Sequence, residues 1–294
     1  MSSSPNFPKR KKPEIAVIGA GTWATALALN LHRTGYTISA IISRDGSGSL
    51  MRARKLAKRV NARWMSLSKV QFAANITWIC VPDDAIASVV QRLLTRTSWT
   101  GKFVVHSSGA LGAEVLRPLR DAGACTASAH PLMTFVSASE TALTDVPFAL
   151  EGDARCLSVI AALVRDMEAK PFRIGSQFKP AYHAFGFFSS PAIVTLLAAA
   201  QQVGSLAGLS SATARKLMEP IVRQTIENCL GLDPPAAFSG PLKRGDAATV
   251  RKHLEVLKQR PELLNLYKAL AQIAVQELPV TNMEKLKTIL NTTT

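Results

Sequence analysis

Short apolar runs alternate with amphipathic segments from the start of the chain to about Ile174. The runs are rich in β-branched residues and have no helical period, as is typical of buried parallel strands. The segments between them repeat apolar side chains every three or four positions, as helices that cover a sheet do. The sequence predicts strands at residues 14–19, 36–43, 76–81, 102–106, 124–130 and 147–151. This alternation predicts βαβ units and a mostly parallel sheet.

Helices account for the remaining regular structure that the pattern predicts. Those between the strands include residues 22–33, 112–121 and 153–169, together with a basic helix whose apolar face runs from Leu50 to Trp64. Only helix-like segments follow Ile174, at residues 180–204, 211–230, 246–258 and 261–277, with a loop rich in Pro and Gly at 231–245. We therefore predict three parts: a disordered basic tail at residues 1–13, an α/β domain at 14–176 and an all-α domain at 177–294.

One stretch, from Ala184 to Ala214, contains no Asp, Glu, Lys or Arg. It approaches the roughly 17–25 residues of a membrane span, but it is rich in Ala and includes Pro191, so a buried or interfacial helix is favoured over a span. Because a long apolar helix marks an interface, we expect a homodimer through the C-terminal helices. The alternative is that later helices of the same chain cover it. The interface candidates are Phe187, Ile193, Val194 and Leu197.

The net charge of +15 is concentrated near the N-terminus. Residues 1–70 hold 13 Lys and Arg against two Asp and Glu, whereas the rest of the chain is nearly balanced. Nucleic-acid binding is not favoured, because the basic segment lacks interleaved aromatic residues and any nucleic-acid motif.

The four cysteines are far apart and form no pair with metal-ligand spacing, so neither a disulfide scaffold nor a metal site is expected. The first residues contain no apolar signal region, and we expect a cytoplasmic protein.

The strongest motif is a glycine-rich turn that directly follows the first predicted strand. It has the form G-x-G-x-x-A and opens the first predicted helix. The first glycine permits a tight turn, the second lets the backbone approach a pyrophosphate, and the final alanine allows close packing of helix on strand. The free N–H groups of the helix then face the phosphates. We predict a dinucleotide site formed by Gly19, Ala20, Gly21, Thr22, Trp23 and Ala24.

Residues at other strand ends complete the predicted cofactor site. The second strand ends at Ser43 and Arg44, so a guanidinium arrives before the carboxylate of Asp45. This order favours NADP over NAD, since Arg can bind a 2′-phosphate; alternatively, Asp45 binds the ribose and Arg44 is solvated. Ligands of open α/β sheets bind beyond the carboxyl ends of the strands, which adds Val81, Pro82, Asp83, Ser107 and Ser108 as candidates. The alternative is that these residues only form turns.

Three residues are candidates for the chemistry of a hydride transfer, which needs a proton donor or acceptor near the reacting carbon. His183 opens the long apolar helix, Lys179 precedes it, and His130 ends a predicted strand. Histidine titrates near neutral pH, so His183 is the first choice. A capping histidine and a solvated lysine are the alternatives for His183 and Lys179.

Several separated blocks resemble a Rossmann-like NADP-binding family with a C-terminal helical domain of unknown function, related to pyrroline-5-carboxylate reductase, ketopantoate reductase and prephenate dehydrogenase. The blocks are VIGAGTWATALALNL, ICVPDDAI, HSSGALGAEVLRPLRDAGA, SAHPLMTF, VPFALEGD, YHAFGFFSS and SGPLKRGDAATVRKHL. The resemblance covers roughly residues 15–267. It implies an NADP-binding domain at 14–176, followed at 177–294 by a helical domain for substrate binding and dimerisation.

The chain departs from this family at one position. Similar proteins tend to have Tyr-His-Ala-Ala and then Ser-Asn on the first helix of the second domain, whereas here Ser190 is followed by Pro191. The resemblance implies that a polar side chain on this helix contacts the substrate. We expect an NADP-dependent oxidoreductase of a small substrate, neutral or anionic, with a carbonyl, imine or carboxylate group. The alternative is a non-catalytic NADP(H)-binding sensor or regulatory protein.

Overall fold

The computed structural model describes residues 12–69, 74–138 and 141–291. The chain forms two compact units, Met1–Ser190 and Pro191–Thr294. The predicted boundary followed residue 176, so the structure assigns one more helix to the sheet unit than the sequence pattern did. The predicted basic tail lies outside the described residues, apart from Lys12 and Pro13.

The first unit is built on one sheet. Across the described residues it contains eight strands in the order β3-β2-β1-β4-β5-β6-β7-β8. All neighbouring strands are parallel except β6 and β7, which are antiparallel. The strands are β1 Ile15–Ile18, β2 Ile38–Ser43, β3 Arg63–Ser66, β4 Ile76–Ile79, β5 Phe103–His106, β6 Cys125–Pro131, β7 Pro147–Gly152 and β8 Lys170–Arg173. The fold class predicted from the sequence is confirmed.

Helices cover both faces of this sheet. Alternate residues of β1 enter different apolar clusters, Ile15 and Val17 on one face and Ala16 and Ile18 on the other. Residues of α1, α2 and α5 join the first cluster and residues of α3 and α4 join the second. The bounds are α1 Thr22–Arg33, α2 Ser47–Arg59, α3 Asp83–Leu93, α4 Arg117–Asp121, α5 Ala154–Asp166 and α6 Lys179–Ser189. The order of the strands reverses between β1 and β4, and open sheets of this kind bind ligands in the crevice at that point.

The structure differs most from the sequence pattern at two predicted helices. The basic helix α2 stops at Arg59, because Asn61 takes a left-handed φ of 50° and reverses the chain. Trp64 therefore lies on the edge strand β3 and is half exposed, rather than on the apolar face of a helix. The long apolar helix is divided after Ser190, where Pro191 cannot continue the hydrogen-bond ladder and begins a new helix instead.

The second unit is entirely helical within the described residues. Its helices are α7 Pro191–Leu206, α8 Ser211–Gly231, α9 Pro234–Ala237, α10 Ala247–Leu257, α11 Pro261–Glu277 and α12 Met283–Asn291. The apolar core joins α10, α11 and α12. No residue of α7 is buried, and Ala214 is the one buried residue described for α8. Many apolar side chains of α7 and α8 are therefore left facing solvent.

The apolar stretch that the sequence singled out extends over α6 and α7. By length and composition, Ser176–Leu206 could cross a membrane, and its most apolar part is not buried. Among the predicted interface candidates, Phe187 and Val194 are exposed, and Ile193 and Leu197 are half buried.

Candidate functional site

The glycine turn between β1 and α1 has the two properties that a pyrophosphate loop needs. Gly19 has a φ of +121°, and a Cβ there would lie 2.2 Å from the carbonyl oxygen of Cys80. No other residue type fits this position without displacing the backbone of Cys80, which directly follows β4. Gly21 has an ordinary φ of −80°, but a Cβ on it would meet nothing within 4 Å. The missing side chain of Gly21 therefore leaves open space in front of the helix.

The first turn of α1 faces that space. Gly21 caps the helix without a side-chain hydrogen bond, and no acidic residue lies in the first turn. The free N–H groups and the positive end of the helix dipole are therefore available to an anion. Ala24 is almost fully buried, which is the close packing expected of the third position in the motif. The turn and the helix end fit a dinucleotide pyrophosphate.

One residue of the predicted cofactor motif has a different surrounding. The indole of Trp23 packs against Phe135 and Phe148, with ring centroids 5.0 and 5.9 Å apart. These contacts place the ring on the apolar core below the turn. We therefore assign Trp23 a packing contact, whereas the backbone of the same residue belongs to the first helical turn.

The loop after β2 places two charged residues side by side. Ser43 is buried, and its hydroxyl donates to the carbonyl of Arg44 at 3.2 Å. The exposed guanidinium of Arg44 donates through Nε to Ser49 Oγ at 3.3 Å. The carboxylate of Asp45 accepts hydrogen bonds from Ser66, the last residue of β3, and from Ser68, in the turn that follows. In these hydrogen bonds, Arg44 and Asp45 are therefore bound to different serines and not to each other.

The ends of β4 and β5 are joined by a side-chain hydrogen bond. Ser108 Oγ donates to Asp83 Oδ2 at 2.7 Å, and it accepts from the backbone N–H groups of Ala110 and Leu111 at 3.2 and 2.9 Å. Asp83 lies in the first turn of α3 but does not cap it, since Pro82 is the N-cap residue. The hydroxyl of Ser108 is thus fully used in shaping the loop, which supports the turn interpretation for this side chain.

Ser107 and His106 are also held by the protein. Ser107 Oγ accepts from the indole Nε1 of the buried Trp78 at 2.8 Å. His106 has no exposed surface; its Nδ1 accepts from the N–H of Ser108, so its Nε2–H donates to the carbonyl of Gly112. Burial lowers the pKa of His106 to about 4. The sequence offered only the position of His106 at a strand end, and this structural role was not predicted.

Lys179 begins α6 and is completely buried, so the interpretation of a solvated lysine at a linker is wrong. Its ammonium donates to the carbonyl of Ser108 at 3.0 Å and to Ser128 Oγ at 2.7 Å. Burial lowers the pKa of Lys179 to about 8, and the charges of Glu151 and Asp83 oppose this shift. The lysine fastens the N-terminus of α6 to the ends of β5 and β6.

The two other predicted catalytic residues lie next to each other. The imidazoles of His130 and His183 meet edge to face, with centroids 5.9 Å apart. Both lie against Gly109, where a Cβ would be 2.8 Å from His130 Nε2 and 2.5 Å from His183 Cδ2. Tyr182, one residue before His183, places its hydroxyl 3.1 Å from His130 Nδ1, and burial raises the pKa of Tyr182 to about 12. Tyr182 was not among the predicted site residues, although it begins the Tyr-His-Ala block that carries the family resemblance.

The two imidazoles differ in accessibility. His130 is largely buried, and this burial, together with the positive charge of Lys179, lowers its pKa to about 4. His130 is therefore neutral at physiological pH. His183 is exposed. A compound in front of Gly109 would meet an accessible imidazole, backed by a neutral imidazole and a buried ammonium.

The structure brings the predicted residues to one edge of the sheet. The glycine turn follows β1, Val81 to Asp83 follow β4, Ser107 and Ser108 follow β5, and His130 ends β6. Since β1, β4, β5 and β6 are parallel neighbours, all four ends lie at the same edge. Within the part of the chain that the structure describes, no group of three His, Cys, Asp or Glu residues could hold a metal ion.

Two family models match the chain. Residues 3–131 match the Rossmann-like domain, and residues 146–274 match the domain of unknown function DUF2520. The predicted family, a Rossmann-like domain with a helical C-terminal domain of unknown function, is confirmed. No curated protein matches the chain.

Solved structures share the fold over nearly the whole chain. A Bacteroides fragilis protein provisionally described as an NADP oxidoreductase is 24% identical, with a TM-score of 0.76 over 89% of this chain and 97% of its own. A Myxococcus stipitatus imine reductase in complex with NADP+ is 16% identical, with a TM-score of 0.67 over 95% and 100%. A variant of that enzyme, in complex with NAD+, is 18% identical, with a TM-score of 0.61 over 95% and 100%. At these identities the likeness concerns the fold.

Proposed function

We propose that this protein, in which a Rossmann-like domain precedes a DUF2520 domain, is an NADP(H)-dependent oxidoreductase. Its substrate would be a small compound with a carbonyl, imine or carboxylate group. The observation that carries the proposal is the combination of a glycine turn, tight at Gly19 and open at Gly21, with the paired imidazoles of His130 and His183 at the same sheet edge. Solved structures with this fold, bound to NADP+ or NAD+, support it.

We assign the cofactor to the glycine turn and to the loop after β2. The backbone of Gly19 to Ala24 would bind the pyrophosphate, and Arg44 would bind the 2′-phosphate of NADP in preference to the free hydroxyl of NAD. The nicotinamide supplies or accepts the hydride. The protein contributes orientation and a proton.

We assign the proton transfer to His183. It is the accessible member of the cluster, and an imidazole exchanges a proton readily near neutral pH. His130, held by Tyr182, would orient the substrate as a neutral hydrogen-bonding group. The positive charge of Lys179 favours an anionic substrate near His130, and Lys179 holds the helix that carries His183.

A second candidate function, a non-catalytic NADP(H) sensor, is favoured by one observation. Pro191 begins α7 and offers no polar side chain, where similar proteins tend to have Asn. A sensor would bind the cofactor with the same residues and lack turnover.

The experiment that tests the proposal measures NADPH oxidation by the purified protein with panels of imines, keto acids and semialdehydes. The wild type should turn over one of these classes, and His183→Ala should lower turnover by roughly 10²–10⁴-fold with NADPH affinity unchanged. His253→Ala is the matched control, because His253 bonds Tyr267 in the helical unit and should not affect turnover. NADPH binding without turnover of any class would favour the sensor.

We further propose that the protein is a homodimer built by its C-terminal helices. The exposed apolar side chains of α8, such as Leu217 and Ile221, are interspersed with charged residues such as Glu219 and Arg223, which form an ion pair. A helix of this mixed character suits a protein partner better than a lipid core.

The four cysteines, all of them described, are free thiols, which supports a cytoplasmic location.

A further inference from the structure

We propose that Ser66 and Ser68 determine the cofactor preference of this protein by holding the carboxylate of Asp45 away from the adenosine ribose. The inference rests on the proposed function, since it concerns the cofactor site of the same domain. It assigns a role in ligand selection to a short segment at the end of β3 that has no motif of its own.

The placement follows from the register of two parallel strands. Ser43, the last residue of β2, pairs with Ser66, the last residue of β3. Asp45 lies two residues beyond Ser43, so its side chain reaches the hydroxyls at the end of β3. Asp45 Oδ1 accepts from Ser66 Oγ and also from Ser68 Oγ, the latter at 3.1 Å.

The two serines form a preorganised pair of donors. Their hydroxyl oxygens are 2.8 Å apart, and the N–H of Ser68 donates to Ser66 Oγ at 3.2 Å. Holding both hydroxyls on one carboxylate oxygen lowers the pKa of Asp45 below its ordinary value, so this side chain stays ionised. The carboxylate is thus bound as an anion by the protein itself.

The neighbouring cations are arranged differently. Arg44 Nε and Arg52 Nη2 both donate to Ser49 Oγ, at 3.3 and 3.5 Å. Neither guanidinium forms an ion pair among the salt bridges of the described residues. Two like charges that converge on a hydroxyl without a carboxylate are well placed for a phosphate dianion.

The hydrogen bonds from Ser66 and Ser68 explain how an acidic residue can follow Arg44 without favouring NAD. A free carboxylate at the end of β2 would accept hydrogen bonds from the ribose hydroxyls of NAD and would repel a 2′-phosphate. If both of its oxygens could rotate toward the ribose, Asp45 would bind the ribose hydroxyls of NAD and repel a 2′-phosphate. The serine hydroxyls oppose this rotation, because both of them hold the carboxylate through Oδ1.

The test compares the affinities of wild type and Ser66→Ala/Ser68→Ala for NADPH and NADH, measured by calorimetry on the full chain. Releasing Asp45 should tighten NADH binding by about tenfold, the scale of one charge-assisted hydrogen bond, and weaken NADPH binding. Adding Asp45→Ala to the double variant should abolish the gain for NADH. Ser88→Ala is the matched control, because Ser88 bonds only to its own helix at Ala85.

The outcomes separate this inference from the function it rests on. An unchanged ratio of NADPH to NADH affinity in the double variant would overturn the role of the serines and leave the oxidoreductase proposal intact. A gain for NADH that persists after Asp45→Ala would also overturn it, since the carboxylate would not be the cause. A wild type that binds neither cofactor would reject both.

Discussion

His106 is held neutral by its surroundings, and this has a consequence for stability. Its two ring nitrogens bond to Ser108 and Gly112, and it has no exposed surface. The folded protein keeps the imidazole neutral down to a pKa of about 4, whereas the ordinary value is 6.5. The unfolded chain therefore binds more protons between these values, so the free energy of unfolding falls as the pH is lowered from 6.5 to 4.

Replacing His106 tests this linkage. His106→Gln removes the titrating group. The loss of unfolding free energy between pH 6.5 and 4 should therefore be smaller by about 3 kcal/mol in the variant. The measurement is denaturant unfolding of both proteins across that range. Part of the slope should remain, because the pKa of His130 is lowered to about 4 as well. Identical slopes for the two proteins would contradict the burial argument.

Among the elements, the turn between β1 and α1 offers a matched pair of substitutions. Gly19→Ala strains a φ of +121° and drives a Cβ into the carbonyl of Cys80, so it should cost about 3 kcal/mol or more of stability. Gly21→Ala meets nothing within 4 Å and should cost only about 1 kcal/mol, because Ala is a poorer N-cap. Its methyl group would occupy the space proposed for the pyrophosphate, and NADPH affinity should fall at least about tenfold.

Thermal melts and NADPH titrations of the two glycine variants separate a folding role from a binding role. A stable Gly21→Ala protein with wild-type NADPH affinity would show that the open space in front of α1 is not the cofactor site. An unchanged melting temperature for Gly19→Ala would show that β4 can move away from the turn.

At the scale of the whole molecule, the proposed homodimer depends on the exposed apolar side chains of the C-terminal helices. Ile221 on α8 is 67% exposed, so a homodimer that buries it should be dissociated by Ile221→Glu without unfolding the single chain. Sedimentation equilibrium should give about twice 31.6 kDa for the wild type and 31.6 kDa for the variant. Met51→Glu is the control, because Met51 is equally exposed at 69% but lies on α2. A wild-type mass of 31.6 kDa at micromolar concentration would reject the dimer.

Much of this protein could be predicted from local patterns in the sequence. The order of strands and helices, the glycine turn and the helix α1 depend on neighbouring residues and on the alternation of apolar and polar positions. The first helix has the predicted bounds, Thr22–Arg33. The parallel alternation also placed the strand ends at one edge, which made His130 and Ser108 candidates before any contact was known.

The tertiary structure alone decided the environment of the individual side chains. A lysine next to a proline at a linker has no local sign of burial, yet Lys179 contacts Ser108 and Ser128, residues more than 50 positions earlier in the chain. Likewise, Asp45 meets Ser66 only because two strands end in register. Such contacts depend on how distant elements pack, and a hydrophobic pattern records the period of one element but not its neighbours. For this reason the sequence located the candidate site, and the packing of α6 and β3 determined which of its charges are buried and which are held by hydrogen bonds.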